Sequence, residues 1–245
     1  MVGIGGGVPS KSNDIRLGDV VVSQPCNGQG GVTQWDFGKV ESKGFRATGH
    51  LDKPPRALLD ALTSVKTRHE RPKRNFVKSH LSRIITDMDD ESWEYQGQEH
   101  DILFDANYDH VAGTDNACDD EQASVQCDLL RAVQRKPRRV PEKPIIHYGT
   151  IASGDAVMKN GHERDRIGKA FGALCFEMEA AGLEDNFPCI VIRGIRDHSD
   201  SHKRKNWQRY SAASAAAFAR ELLENITPQN LEVAEAYSRE PRNCT

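Results

Sequence analysis

Two carboxylates stand where apolar runs give out. Glu179 ends the stretch Cys175, Phe176, Glu177, Met178, Glu179, and Asp197 follows Ile195 and Arg196 at the end of a second apolar run. A buried strand that ends in an acid aims it at whatever occupies the crevice beyond the strand end. One carboxylate can accept both hydroxyls of a cis-diol, and a carboxylic acid whose proton is retained by burial can protonate a leaving group. Met178, between the acids of its run, offers a soft thioether to the face of a sugar. Each feature also has an ordinary structural use. Acids at 177 and 179 favour a helix start, and Asp197 suits an N-cap or an ion pair with Arg196.

A glycine run precedes both. Gly3, Gly5, Gly6 and Gly7 let backbone N–H groups approach a phosphate, an oxyanion or a water. The run lacks the Gly-Lys-Ser/Thr ending of a P-loop, and no helical pattern follows it as a dinucleotide loop requires. A tight strand-to-loop turn is its other use. The remaining chemistry is thin. His198 and His202 are four apart without a metalloprotease pattern around them, and Cys118 and Cys127 lack a second pair, so no metal site is expected. No Gly-x-Ser-x-Gly occurs, and no cysteine has a catalytic setting. The basic residues from 131 to 143 lack the interleaved aromatics of a single-strand binder and read as a solvated linker, with no nucleic-acid partner.

The elements that must position these groups follow from apolar spacing. The chain has 245 residues, 37% hydrophobic and 28% charged, with a formal net charge of −3. That composition is low in apolar residues for a packed domain, so part of the chain is expected to stay open. No run nears the ~20 apolar residues of a membrane span, and no signal peptide opens the chain. Six scattered cysteines read as free thiols, which points to an intracellular, cytoplasmic protein. Strands are expected at 20–23, 32–40, 45–51, 145–152, 174–176 and 189–192. Helices are expected after Pro54 and Pro55 to about Glu70, from an Asn160 cap to Phe171, from Glu179 to Glu184, and over 207–226. Ala215, Phe218, Ala219, Leu222, Leu223 and Ile226 make the stripe of the last. Between them, 71–143 carries an acidic knot, a basic knot and poor periodicity, and reads as a long, partly disordered insertion with a few anchoring turns. The expected organisation is one domain over 1–228 and a tail over 229–245. Strands alternating with helices imply an α/β layer structure.

In order, the motifs Val2-Gly-Ile-Gly-Gly-Gly-Val8, Asp14-Ile-Arg-Leu-Gly-Asp-Val-Val-Val-Ser23, Ile151-Ala-Ser-Gly-Asp155, Phe176-Glu-Met-Glu-Ala-Ala-Gly182 and Val191-Ile-Arg-Gly-Ile-Arg-Asp197 resemble the superfamily of nucleoside phosphorylases and methylthioadenosine/adenosylhomocysteine nucleosidases, in its fungal-type branch. The resemblance covers 1–52 and 144–227. It implies a three-layer α/β fold with a central mixed sheet, here truncated at the N-terminus: the family's first strands, a first phosphate loop and a further acid would precede Met1. It implies cleavage of the N-glycosidic bond of a purine nucleoside through an oxocarbenium-like transition state. The partner is then a small-molecule nucleoside, with no cofactor, phosphate as a co-substrate, and a homo-oligomeric assembly. Position by position, it implies Glu179, Met178 and Glu177 at the ribose, Asp197 as the catalytic group at purine N7, Gly3, Gly5 and Gly6 at the phosphate or water, and Ser153, Val157 and Met158 in the base pocket. Aspartate at 197 points to 6-aminopurines. Ile4 stands where bacterial nucleosidases carry a hydroxyl. The alternative is a catalytically inactive nucleoside-binding or interaction module built on this fold.

Overall fold

The computed structural model describes residues 1–26, 28–42, 44–48, 51–71, 76–111, 127–183 and 186–226. The tail after Pro228, Cys118 and Cys244 lie outside them. The elements, in chain order, are β1 (Val2–Gly7), β2 (Val20–Ser23), β3 (Val32–Gln34), β4 (Gly38–Glu41), β5 (Gly44–Ala47), α1 (Arg56–His69), α2 (Val77–Met88), β6 (Ile146–Ser153), α3 (Gly161–Phe171), β7 (Ala173–Glu177), β8 (Ile192–Asp197) and α4 (Trp207–Leu223).

Six strands form one mixed sheet in the order β2-β8-β1-β7-β6-β3, and β4 pairs with β5 separately. β1 runs parallel to β8 and antiparallel to β7. The pairings close on themselves through β6: Ile146 to Gly149 pair with β2, while Thr150 to Ser153 pair with β7 and, from Ile151, with β3 as well. Successive residues of a strand face opposite sides. Accordingly Ile151 joins the core under α1, α2 and α4, and Ala152 joins a smaller core with Ile167 of α3. Helices therefore cover both faces, giving three layers.

Local signals explain the helices. Asn160 caps α3 by accepting from the Glu163 N–H at 2.9 Å, and Gly172 ends it at φ 63°, where a side chain would be strained. α1 follows Pro55 and buries Ala57, Ala61, Leu62 and Val65 on one stripe. On α4, Ala215, Phe218 and Leu222 are buried as expected, while Leu223 points outward. α4 lies close on β8: a Cβ at Gly194 would overlap the Ser211 carbonyl, so only glycine lets the helix backbone approach this strand.

Three expectations are corrected. β8 begins at Ile192 and continues through Arg193 to Asp197, beyond the expected 189–192. Residues 178–183 form turns, not the first turn of a helix. The stretch 71–143, outside 72–75 and 112–126, which are not described, holds α2, whose Val77 and Leu81 are buried and which packs on α4. The anchoring turns expected in it are found at Glu91–Trp93, Gln98–His100 and Leu129–Arg131. Nor are all of its basic residues solvated. Arg138 grips the buried Asp19 with two donors at 2.6 and 2.7 Å, and Arg135 donates to the Asp101 main-chain carbonyl at 2.6 Å while its guanidinium pairs with the Asp101 carboxylate at 2.9 Å. Among the described residues no helix is long and apolar enough to cross a membrane.

Candidate active site

A cavity of about 240 Å³ opens at the ends of β1, β7 and β8. Strand order sets its plan. β1 lies between β7 and β8, so its glycines form the middle, the turn after β7 forms one side, and the end of β8 forms the other. Gly6 sits in register with both Phe176 and Asp197. A Cβ at Gly6 would stand 2.7 Å from Asp197 Oδ1, so glycine is what lets the carboxylate reach the cavity.

On the β7 side, Glu177 is buried. Its carboxylate accepts from the N–H groups of Glu179 at 3.2 Å and Ala180 at 3.0 Å and pairs with Arg193. Ser153 Oγ accepts from the Ala181 N–H at 2.9 Å. These bonds take up N–H groups that a helix would leave unpaired in its first turn, and they fix the turn that projects Met178 and Glu179. The Glu179 side chain is 61% exposed, with Oε2 2.9 Å from Arg193 Nη2. Met178 and Val157 are also exposed at the mouth.

On the β8 side, Asp197 is buried. Its Oδ1 accepts from the Ser199 N–H at 2.8 Å and from Lys203 Nζ at 2.9 Å, and its Oδ2 lies 3.2 Å from Arg196 Nε. Ser199 has φ 53°, an unusual value for a residue with a side chain. Its bond to Asp197 holds that strained turn. Lys203 Nζ also donates to the Met158 carbonyl at 3.0 Å, tying the loop after β6 to the end of β8. Behind this turn, His198 Nε2 lies 3.1 Å from Asp101 Oδ1, and the His202 ring stacks on Phe104 with centroids 4.1 Å apart. The insertion thus braces the turn that follows Asp197. Burial would raise the Asp101 carboxyl, but the hydrogen bond and charge of His198, with Arg135, outweigh it and hold it below the usual range. Cys175 is no nucleophile: burial, with Glu177 nearby, pushes its thiol well up.

Of the residues singled out in the sequence, Gly5, Gly6, Val157, Met158, Glu177, Met178, Glu179 and Asp197 line this cavity. Gly3 and Ser153 do not. Gly3 makes room for the Arg193 guanidinium, which a Cβ there would overlap, and Ser153 supports the turn from behind. Two charged residues with contacts in the site went unmarked. Arg193 carried a signal, since an arginine inside the run Val191 to Ile195 must be buried and must therefore find an acid. Lys203 carried none, because it stands beside Arg204 and Lys205 with no apolar run around it.

A comparison with family models matches residues 1–227 to the phosphorylase superfamily. A nucleotide-binding leucine-rich repeat (NLR)-like protein of Hyaloscypha variabilis is 45% identical over 232 residues, which is 95% of this chain and 22% of that protein. The 5'-methylthioadenosine/S-adenosylhomocysteine nucleosidase of Mycobacterium bovis is 30% identical over 86 residues, 33% of this chain and 34% of that protein. Among solved structures, the futalosine hydrolase of Helicobacter pylori aligns at a TM-score of 0.48 and 15% identity, over 91% of this chain and 66% of that one. The chain therefore spans only part of the length of each.

Proposed function

Because the chain belongs to the phosphorylase superfamily, we propose that this cavity binds a purine nucleoside and cleaves its N-glycosidic bond. The observation that carries the reading is the placement of Glu179, in the turn after β7, and Asp197, at the end of β8, on either side of the β1 glycines in one cavity. The ribose lies over the turn after β7, where Glu179 accepts its 2′- and 3′-hydroxyls and Met178 packs on its face. The base lies toward β8, with its imidazole edge at Asp197 and Val157 and Met158 beside it. The glycosidic bond then crosses Gly5 and Gly6, where no side chain blocks a water or a phosphate from C1′.

The chemistry asks for charge at both ends. As C1′–N9 breaks, the sugar becomes cationic and the base takes the electron pair. Glu179 stabilises the first through its bonds to the ribose hydroxyls, and the groups around Asp197 stabilise the second. Glu177 touches neither: its oxygens are committed to Arg193 and the turn, and it acts by positioning Glu179. A 6-aminopurine is the base that the aspartate suits.

The test is base release from methylthioadenosine, adenosine and inosine, with and without phosphate. Base release is expected, and Asp197→Asn is expected to slow it by ~10²-fold or more. An unchanged rate in that variant would remove Asp197 from the chemistry. The 45% identity to an NLR-like protein over nearly the whole chain favours a second reading, in which the same cavity only recognises the nucleoside. Saturable nucleoside binding without base release would select it.

A further inference from the structure

We propose that a second, larger cavity, between α3 and the insertion, binds a small organic anion with an apolar body, and that its occupancy firms the turn that follows Asp197.

The first observation is the cavity itself. It measures about 1000 Å³ and shares no lining residue with the cavity that holds Glu179 and Asp197. Its walls come from the loop after β1, from Leu103 to Asn107 and Val133 to Lys136 of the insertion, from α3, and from the start of β7. That volume suits a small molecule. Its floor is apolar: Leu103, Phe104, Ala173 and Leu174 line it, each less than a tenth exposed.

The second observation is the balance of charge. The acids on the wall are already engaged. Asp14 pairs with Arg16 at 2.8 Å, Asp165 pairs with Arg164 at 2.7 Å, and Asp105 accepts from the Asn107 N–H at 2.9 Å. Lys11, Lys136 and Lys169 line the cavity from the loop after β1, from the insertion and from α3, and among the described residues their ammonium groups have no carboxylate partner. The whole chain carries −3, so this positive excess is local. A cleft of one sign with low-dielectric walls concentrates ions of the other. A bare inorganic anion would leave the apolar floor uncovered, and an uncharged molecule would gain nothing from the lysines. An anionic head on an apolar body uses both.

The third observation is where the cavity leads. Arg164 lines it, is 3% exposed, and donates from Nη1 to the His198 carbonyl at 2.9 Å. Phe104 lines it and stacks on the His202 ring, with centroids 4.1 Å apart. His198 follows Asp197 in the chain and His202 precedes Lys203, and Asp197 and Lys203 both line the other cavity. One wall residue from α3 and one from the insertion therefore hold the two ends of the turn between the cavities. A ligand that bridges α3 and the insertion fixes both contacts at once. It binds the ordered turn better than a loosened one, and that difference in affinity is what shifts a conformational equilibrium.

The probe is 1-naphthyl phosphate, an aromatic body with a phosphate head, and 1-naphthol and inorganic phosphate are its two halves. Calorimetric titration of the full chain is expected to show saturable binding ~10-fold or more tighter than that of either half, since joining the halves makes the second contact intramolecular. Lys11→Met, Lys136→Met and Lys169→Met together should weaken it by ~5-fold or more. All three side chains are exposed, so the fold is retained, and an unshifted melting temperature checks this. The N–H groups of Ser199 and His202, bonded to Asp197 and Asp200, report on the turn. Their hydrogen exchange should slow ~10-fold or more with the probe at roughly 100 times its Kd. Binding no tighter than that of 1-naphthol, or unchanged in the triple variant, would overturn the site. Saturable binding that leaves the exchange of 197–203 untouched would overturn its hold on the turn.

Discussion

Replacing Arg193 with methionine isolates the electrostatic core of the site. Arg193 and Glu177 are both buried, and one guanidinium nitrogen serves Glu177 and Glu179 together. Methionine keeps much of the apolar stem and removes the charge. Glu177 is then left in the interior with only the N–H groups of Glu179 and Ala180 as partners. Taking one member from a buried ion pair costs about 3–5 kcal/mol, because the other charge stays desolvated. With a urea slope of roughly 2–3 kcal/mol/M, the unfolding midpoint should fall by about 1–2.5 M. Glu179→Gln removes the other carboxylate from the same nitrogen, yet Glu179 is mostly exposed, so it should cost less than about 1 kcal/mol. The contrast is the diagnostic. Adding Glu177→Gln to Arg193→Met removes the stranded charge and should recover at least ~1 kcal/mol of the loss, measured as a double-mutant cycle. A loss of under ~1 kcal/mol for Arg193→Met, or strict additivity in the cycle, would refute the claim that this pair holds the β7 turn.

Two further outcomes follow from the same contacts. Burial would raise the Asp19 carboxyl, but hydrogen bonds from Arg138 and His147 outweigh it and hold it below its usual 3.8. A depressed carboxyl contributes stability that is fully present above its unfolded pKa of about 3.9 and is lost as pH falls through the lower folded value. Thermal melts should therefore show stability falling below about pH 4, and Asp19→Asn should lower stability at neutral pH while flattening that acid limb; an unchanged limb would place the acid sensitivity elsewhere. For the ribose, Glu179→Gln should weaken binding of adenosine more than that of 2′-deoxyadenosine, read as the ratio of their KM values, and an unchanged ratio would remove Glu179 from the diol.

How much of this was legible in the sequence depends on the distance over which each contact acts. α3 could be read to the residue, because Asn160 and Gly172 cap it from its own ends. α1 and α4 could be read from their stripes. α2 was missed although Val77, Leu81, Ile84 and Ile85 have helical spacing, since only Val77 and Leu81 are buried and charged residues surround them. The stretch from Glu179 to Glu184 was read as a helix start because acids often begin one. What prevents the helix is partly remote: Ser153 takes the Ala181 N–H from 28 residues away. Arg135 and Arg138 were read as solvated for the same reason. Their acids, Asp101 and Asp19, lie 34 and 119 residues away, and a charge run does not announce which of its members will be turned inward.

The glycine run takes on a second physical meaning in the fold. From sequence alone, Gly3, Gly5 and Gly6 offered backbone N–H groups to an anion. In the fold, each is also a clearance. A Cβ at Gly3 would overlap the Arg193 guanidinium, one at Gly5 would press on the Phe176 carbonyl at 2.7 Å, and one at Gly6 would crowd Asp197 and Ser199. β1 lies between the strands that carry these groups, so any side chain on that face would push apart the two walls whose approach makes the cavity. Gly3 is thereby tied to Glu179 through Arg193, and Gly6 is tied directly to Asp197. The run and the two acids, more than 170 residues apart in the chain, are one steric and electrostatic unit. A substitution at Gly3 acts on the Glu179 side of the cavity and one at Gly6 on the Asp197 side, even though neither glycine has a side chain of its own to offer.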